Sequence, residues 1–158
     1  MSDFVNIVVY VSNTYNGRKK LYGVIKERSS IIEVLGLNPL YDEIINCKFI
    51  ITKNKPEDII RFCFLNDCTK DELIKFLTVL KTKYNYFNIM LCLSGHGCNS
   101  SGMCSFQTQD NQKISLFDII SQLNTDSLKN ITVLLDMCRS GLIVNENFST
   151  NFVNLISY

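Results

Sequence analysis

Two hydrophobic periods alternate along this chain, and that alternation restricts the fold more than any other feature. Four short runs, VNIVVYVS from Val5, KFIIT from Lys48, FNIMLCL from Phe87 and ITVLLDM from Ile131, are apolar almost without interruption. Continuous runs of this length fit strands covered on both faces of a mainly parallel sheet, whereas a strand with one wet face alternates. Between the runs the period lengthens. Thr69 and Glu72 form a capping-box pattern, and Leu73, Phe76, Leu77 and Leu80 follow at helical spacing. Ser115 and Asp118 repeat the signal ahead of Leu116, Ile119, Ile120 and Leu123. A third helix is expected through SSIIEVLG after Arg28, with NPLYDEII either extending it or forming a separate turn. Strand, helix, strand, helix, strand, helix, strand is the order of an open α/β sheet with right-handed crossovers and helices on both faces.

Neither a repeat nor a flexible linker breaks this order, so residues 1–158 read as a single domain. A domain of 158 residues buries about 70% of its unfolded surface. Sixteen basic residues against fifteen acidic ones leave a net charge of +1. Nothing in that balance draws the molecule to nucleic acid or to an anionic membrane, and Arg18, Lys19 and Lys20 form only a short solvated turn. The start, MSDFVNIVVYVSN, lacks the basic leader and small-residue cleavage site of a secretory signal, and its apolar run is too short to span a bilayer. A cytoplasmic location is expected. The seven cysteines, odd in number and irregularly spaced, are then reduced thiols rather than a disulfide framework.

In open parallel sheets the working groups sit beyond the carboxyl ends of the strands. Two loops qualify: SGHG, which follows Leu93, and CRSG, which follows Met137. The first carries His96, the single histidine. Three readings of it compete. Cys92, His96, Cys98 and Cys104 are spaced by four, two and six residues (96−92, 98−96, 104−98), which departs from the paired ligands of structural zinc sites. No metal or other cofactor is therefore expected. A hydrogen-bonded histidine in a turn is the plainest reading. The third pairs His96 with Cys138, because neighbouring strands would bring imidazole and thiol together at one sheet edge. An ordinary thiol is a weak nucleophile at neutral pH, and an adjacent imidazole raises its thiolate fraction and later protonates the leaving amine. Gly95, Gly97 and Gly141 let the backbone turn and approach a substrate. The amides of Gly97 and Cys138 would face a developing oxyanion.

The segments LSGHG, GMCSFQTQDNQKISLFDII and VLLDMCRSG resemble the histidine loop, middle segment and cysteine loop of the caspase clan of cysteine peptidases. The histidine precedes the cysteine by 42 residues (138−96), against about 50 in the caspase pattern. Caspases carry Gln-Ala before the cysteine; Asp136 and Met137 are instead similar to paracaspases, and Asp-x-Cys-x-Ser-Gly to metacaspases. The resemblance implies a caspase-like α/β fold, a catalytic pair Cys138 and His96, and Asp136 in the pocket for the residue before the scissile bond. GVIKERSSI resembles the Gly-Thr-x-x-Asp-x-x-x-Leu segment of the same proteins and places Glu27 at its acidic position. The arginine that caspases carry two residues before that glycine falls on Leu21. An acidic pocket of this kind should prefer Arg or Lys to Asp. The alternatives are a strand-end capping role for Asp136 and a solvated helix start for Glu27.

Caspase-clan proteins continue past the cysteine loop into a smaller segment that completes the substrate groove. Only twenty residues follow Cys138 here (158−138), and residues 150–158 resemble the first strand of that segment. The chain is then either a fragment or a short homologue, with weak activity or none in isolation. Its partners would be a peptide or protein substrate, and a caspase or a second copy paired along an exposed sheet edge. Two functions are compatible with these residues: a cysteine endopeptidase acting in programmed cell death, or a non-catalytic homologue that regulates cell death by binding a caspase or its partners.

Overall fold

The computed structural model describes residues 4–34, 40–41, 49–52, 60–84, 86–100, 102–123, 128–137 and 153–157. In chain order the elements are β1 (Phe4–Ser12), α1 (Tyr22–Val34), β2 (Leu40–Tyr41), β3 (Phe49–Thr52), β4 (Ile60–Asn66), α2 (Lys70–Lys83), β5 (Tyr86–Gly95), β6 (Gly97–Ser100), β7 (Met103–Gln107), β8 (Lys113–Ser115), α3 (Leu116–Leu123), β9 (Leu128–Met137) and β10 (Val153–Ser157). A short 3-10 turn covers Gly17–Lys19.

Seven strands form the main sheet in the order β10-β9-β5-β1-β4-β3-β2. The five from β10 to β4 are parallel, while β3 and β2 continue antiparallel. From β1 the chain reaches the sheet edge at β2, returns through β3 to β4 beside β1, and then crosses to the other side of β1 to lay down β5. That reversal opens a crevice beyond the carboxyl ends of β1 and β5, where ligands bind in sheets of this type.

Register explains why one face is the core. Ile7, Ile89 and Ile131 lie in one row across the sheet; Val9, Leu91, Val133 and Cys63 form the next; Val11, Leu93, Leu135 and Leu65 a third. All are buried, and Leu73, Phe76, Leu77 and Leu80 of α2 with Leu116, Ile119, Ile120 and Leu123 of α3 close over them. The opposite face is covered less evenly. Tyr10, Phe64 and Cys92 are buried there with Ile31 of α1 packed on them, whereas Met90 is 43% exposed. The continuous apolar runs thus mark a sheet with one complete core face and one that α1 covers in part.

Several expected elements appear as read. Thr69 Oγ1 accepts the Glu72 amide at 3.2 Å and Glu72 Oε2 accepts the Thr69 amide at 3.0 Å, which closes the capping box of α2. Ser115 Oγ accepts the Asp118 amide at 3.0 Å and starts α3. Other expectations are corrected. The helix foreseen after Arg28 begins earlier, at Tyr22, so Glu27 lies inside α1 and is half-buried rather than at a solvated start. Leu40–Tyr41 is a strand rather than a helical extension. A further strand, β4, joins the sheet, and the FIIT run pairs with it antiparallel. The GMCSFQTQDNQKIS segment supplies β7 and β8, which join β6 in a three-stranded antiparallel sheet and seat Cys104, Phe106 and Ile114 in the core. Among the described residues no helix is long and apolar enough to cross a membrane.

Candidate functional site

The three central parallel strands end together. Ser12 of β1, Ser94 of β5 and Asp136 of β9 share one row, and Gly95 pairs with Met137 one residue further. His96 follows as the first residue beyond β5. Its amide donates to the Tyr15 hydroxyl at 2.9 Å, and that hydroxyl donates to the Gln107 carbonyl at 2.6 Å. The two rings lie against each other with centroids 4.4 Å apart. Tyr15 itself sits at φ 57°, a left-handed backbone that turns its ring back under the histidine. Burial pushes its hydroxyl up to about 12. It therefore stays a proton donor throughout the physiological range.

Gly95 has a reason that differs from the sharp turn expected of it. A Cβ at this position would stand 2.5 Å from Tyr15 Oη and 3.0 Å from Phe106 Cε2, so the missing side chain admits the tyrosine that holds His96. The other side of the imidazole is also fixed. His96 Nε2 lies 2.6 Å from the Lys19 carbonyl oxygen. A carbonyl only accepts, so Nε2 is the nitrogen that donates here, and Nδ1 is the nitrogen left to accept a proton. This arrangement is that of a histidine oriented to take a proton at Nδ1.

An open cavity of about 650 Å³ lies in front of this ring, lined by Leu21, Tyr22, Glu27, Gly95, His96 and Asp136 among others. A deeper compartment of about 400 Å³ adjoins it between α1 and the sheet, and shares Glu27, Ser94 and Asp136 with it. Glu27 Oε2 accepts the Ser94 hydroxyl at 3.4 Å, which ties the helix carboxylate to the strand end. At the compartment's inner wall stand Tyr10, Cys92 and Leu134, one row further down the same sheet face. The Tyr10 hydroxyl is buried, with Glu27 and Ser94 as its polar neighbours. Burial first, and then the neighbouring Glu27 carboxylate, raise its pKa far above the ordinary phenol range.

A half-buried brace supports the loop that carries Tyr15 and Lys19. Asp67 Oδ1 accepts the Thr14 amide at 2.7 Å and its hydroxyl at 2.9 Å, and pairs with Arg28 Nη2 at 2.9 Å. Arg28 reaches on to the Ser12 carbonyl and to Ser12 Oγ at 2.7 Å. Burial opposes ionisation of Asp67, but the bonds from Arg28 and Thr14 outweigh it and hold the carboxyl below its usual range.

Of the residues expected at the site, His96, Glu27 and Asp136 line one cavity. Gly97 opens β6 immediately after His96. Cys138 and Gly141 lie outside the described residues. Cys92 and Cys104 are buried, Cys98 is half-buried, and among the described residues no group of three or more His, Cys, Asp or Glu side chains is placed to hold a metal ion. The sequence reading passed over Tyr10, Tyr15, Ser94 and the Lys19 carbonyl. Tyr15 is signalled only by the short interval between β1 and the basic turn. The carbonyl has no side-chain signature at all.

Parallel central strands in this order, helices on both faces and a histidine at the end of β5 make a caspase-like α/β fold. The chain is similar in structure to the Drosophila initiator caspase Dronc, with a TM-score of 0.53 and 14% identity over 84% of this chain and 47% of that one. It thus spans about half the length of that caspase. No protein-family model and no curated protein matches the sequence.

Proposed function

We propose that this domain is a cysteine endopeptidase domain of the caspase clan, acting in the cytosol in programmed cell death, with Cys138 as nucleophile and His96 as its base. The observation that carries the reading is the orientation of His96. Its Nε2 is committed to the Lys19 carbonyl, which leaves Nδ1 as the nitrogen free to accept a proton, on a residue that lines the cavity. Cys138 follows Met137, the residue paired with Gly95 at the end of β5, so its chain position supports a thiol near that nitrogen. The thiol proton passes to Nδ1, sulfur attacks the peptide carbonyl carbon, and the amides of Gly97 and Cys138 face the oxyanion. The proton on Nδ1 then goes to the leaving amine, and water releases the acyl group from sulfur. Glu27 and Asp136 form the pocket for the residue before the cleaved bond, and with Leu21 where caspases have arginine, that residue is basic.

A second reading has its own support. β10 stands at the edge of the described sheet, paired on one side with β9. An open edge accepts a strand from another chain. In that reading β10 begins a smaller segment that a caspase partner or a second copy completes, and the domain regulates cell death by binding.

Peptide amides ending in Arg, Lys or Asp test the first reading. Cleavage after Arg or Lys should exceed cleavage after Asp by about tenfold or more, a difference of only ~1.4 kcal/mol, and should vanish in Cys138→Ala. Equal cleavage after Asp, or activity that survives Cys138→Ala, overturns it. Binding to a caspase that persists in Cys138→Ala, with no cleavage by the parent protein, assigns the regulatory reading.

A further inference from the structure

The outer cavity carries charge of both signs, and the function proposed above uses only the negative end. Glu27 and Asp136 stand where the cavity meets the inner compartment and line both spaces. Lys20 and Tyr22 line only the outer cavity. Among the described residues no ion pair joins Lys20 to either carboxylate. Cation and anions are thus held apart across one space instead of neutralising each other.

Lys20 differs from the other basic residues of its turn. Arg18 and Lys19 are exposed and line neither of the two spaces. The backbone around Lys20 is fixed on both sides. Its amide donates to the Gly17 carbonyl at 3.2 Å, the Lys19 carbonyl before it meets His96 Nε2, and the Leu21 amide after it donates to the Thr14 carbonyl at 2.7 Å. The Lys20 ammonium stands 5.1 Å from the centre of the Tyr22 ring. Tyr22 is 73% exposed and adds little to the core. As a platform beneath the ammonium, it narrows the positions that a flexible lysine explores. The ring takes one side of the ammonium, and three N–H donors leave others for a ligand.

Resting on the acidic-pocket reading above, we infer that Lys20 is a specificity-determining residue for the same reaction. Its ammonium pairs with a carboxylate on the residue next to the basic one, so the preferred ligand is a peptide with Asp or Glu adjacent to its Arg or Lys. An extended peptide turns successive side chains to opposite sides. With the basic side chain directed inward to Glu27 and Asp136, its neighbours point outward, toward the rim where Lys20 stands. At about 650 Å³ the outer cavity is as large as those that hold whole small ligands, and one side chain does not fill it. The pair forms at an exposed rim, so it changes affinity several-fold rather than by orders of magnitude, and salt screens it.

Binding tests this without requiring peptidase activity. N-acetyl-Glu-Arg amide, N-acetyl-Gln-Arg amide and the two peptides of reversed order are titrated into the full chain and followed by nuclear magnetic resonance. At low ionic strength, in at least one order, the Glu peptide should bind about threefold or more tightly than its Gln counterpart. The ratio should fall to about 1.5 or less in about 1 M salt and in Lys20→Met. It should persist in Arg18→Met, which removes an equal charge from the same turn outside the cavity. The Gln peptides should bind Lys20→Met at least as tightly as the parent, which shows that the variant is folded. In the parent protein the Lys20 side-chain carbon next to the ammonium should shift more with the Glu peptide than with the Gln peptide. Equal affinities in both orders, a preference that survives Lys20→Met, or one that Arg18→Met removes equally, overturns the role of Lys20 and leaves the acidic pocket standing. Binding of no peptide, or binding indifferent to Asp136→Asn, overturns the acidic pocket and the role of Lys20 with it.

Discussion

The Tyr15 hydroxyl and the His96 amide are joined at 2.9 Å, and the same hydroxyl donates to the Gln107 carbonyl at 2.6 Å. One phenol thus bridges the end of β5 to the end of β7 and satisfies two backbone groups. Removing only the oxygen, in Tyr15→Phe, leaves the His96 amide without this acceptor and the Gln107 carbonyl with the longer bond from Asn13 Nδ2 at 3.3 Å. Equilibrium unfolding in urea should show a loss of ~1–3 kcal/mol. Gly95→Ala attacks the same joint from the other side, because the new Cβ would stand 2.5 Å from Tyr15 Oη. Its cost should be of the same order, ~1–3 kcal/mol, and the double variant should cost less than the sum. Additive effects would show that the two residues do not share one joint.

The Arg28–Asp67 brace makes stability depend on acid. Asp67 has a depressed pKa in the folded protein, so its contribution is complete above the unfolded carboxyl value, about pH 4, and is lost as pH falls through the lower folded value. Asp67→Asn should therefore flatten the fall of the urea midpoint below about pH 4. Asparagine suits this test because residue 67 has φ 55°, a left-handed conformation that Asn and Asp tolerate best. Some slope should remain, since hydrogen bonds from Thr108, Lys70 and Gln112 also lower the Asp110 carboxyl against its burial. A variant with the parent's full acid slope would rule the brace out as its source.

The parts of the fold that local pattern could carry were legible. The capping box at Thr69, the start of α3 at Ser115 and the central strands follow from spacing alone. Strand direction was not legible, because β3 has the same apolar run whether it pairs parallel or antiparallel. The strand β4 escaped because IRFCFLN mixes a charge with short apolar stretches. At the site, strand order brought His96, Glu27 and Asp136 to one cavity from distant positions in the chain. What fixes the imidazole was hidden, since a backbone carbonyl leaves no trace in residue identity.

Thiol reactivity discriminates between the readings of His96. Burial pushes the Cys63 thiol up to about 12 and the Cys92 thiol to about 11. At pH 7 the Cys63 thiolate is then on the order of one part in 100,000. Cys68 and Cys104 are 2% and 0% exposed, so reagent cannot reach them in the folded protein. Cys98 is half-buried, with its Sγ 3.7 Å from the Ser105 carbonyl oxygen, and sets the rate expected of a thiol without a base beside it. In native protein treated with limiting iodoacetamide and read by mass spectrometry, Cys138 should label first of the seven cysteines, ahead of Cys98. Cys63, Cys68, Cys92 and Cys104 should label only after unfolding. His96→Ala should slow Cys138 by about tenfold or more and leave Cys98 unchanged, because the imidazole raises the thiolate fraction of its partner alone. A Cys138 that labels no faster than Cys98, or one indifferent to His96→Ala, would remove the catalytic pair and leave His96 as a hydrogen-bonded turn residue held by Tyr15 and Lys19.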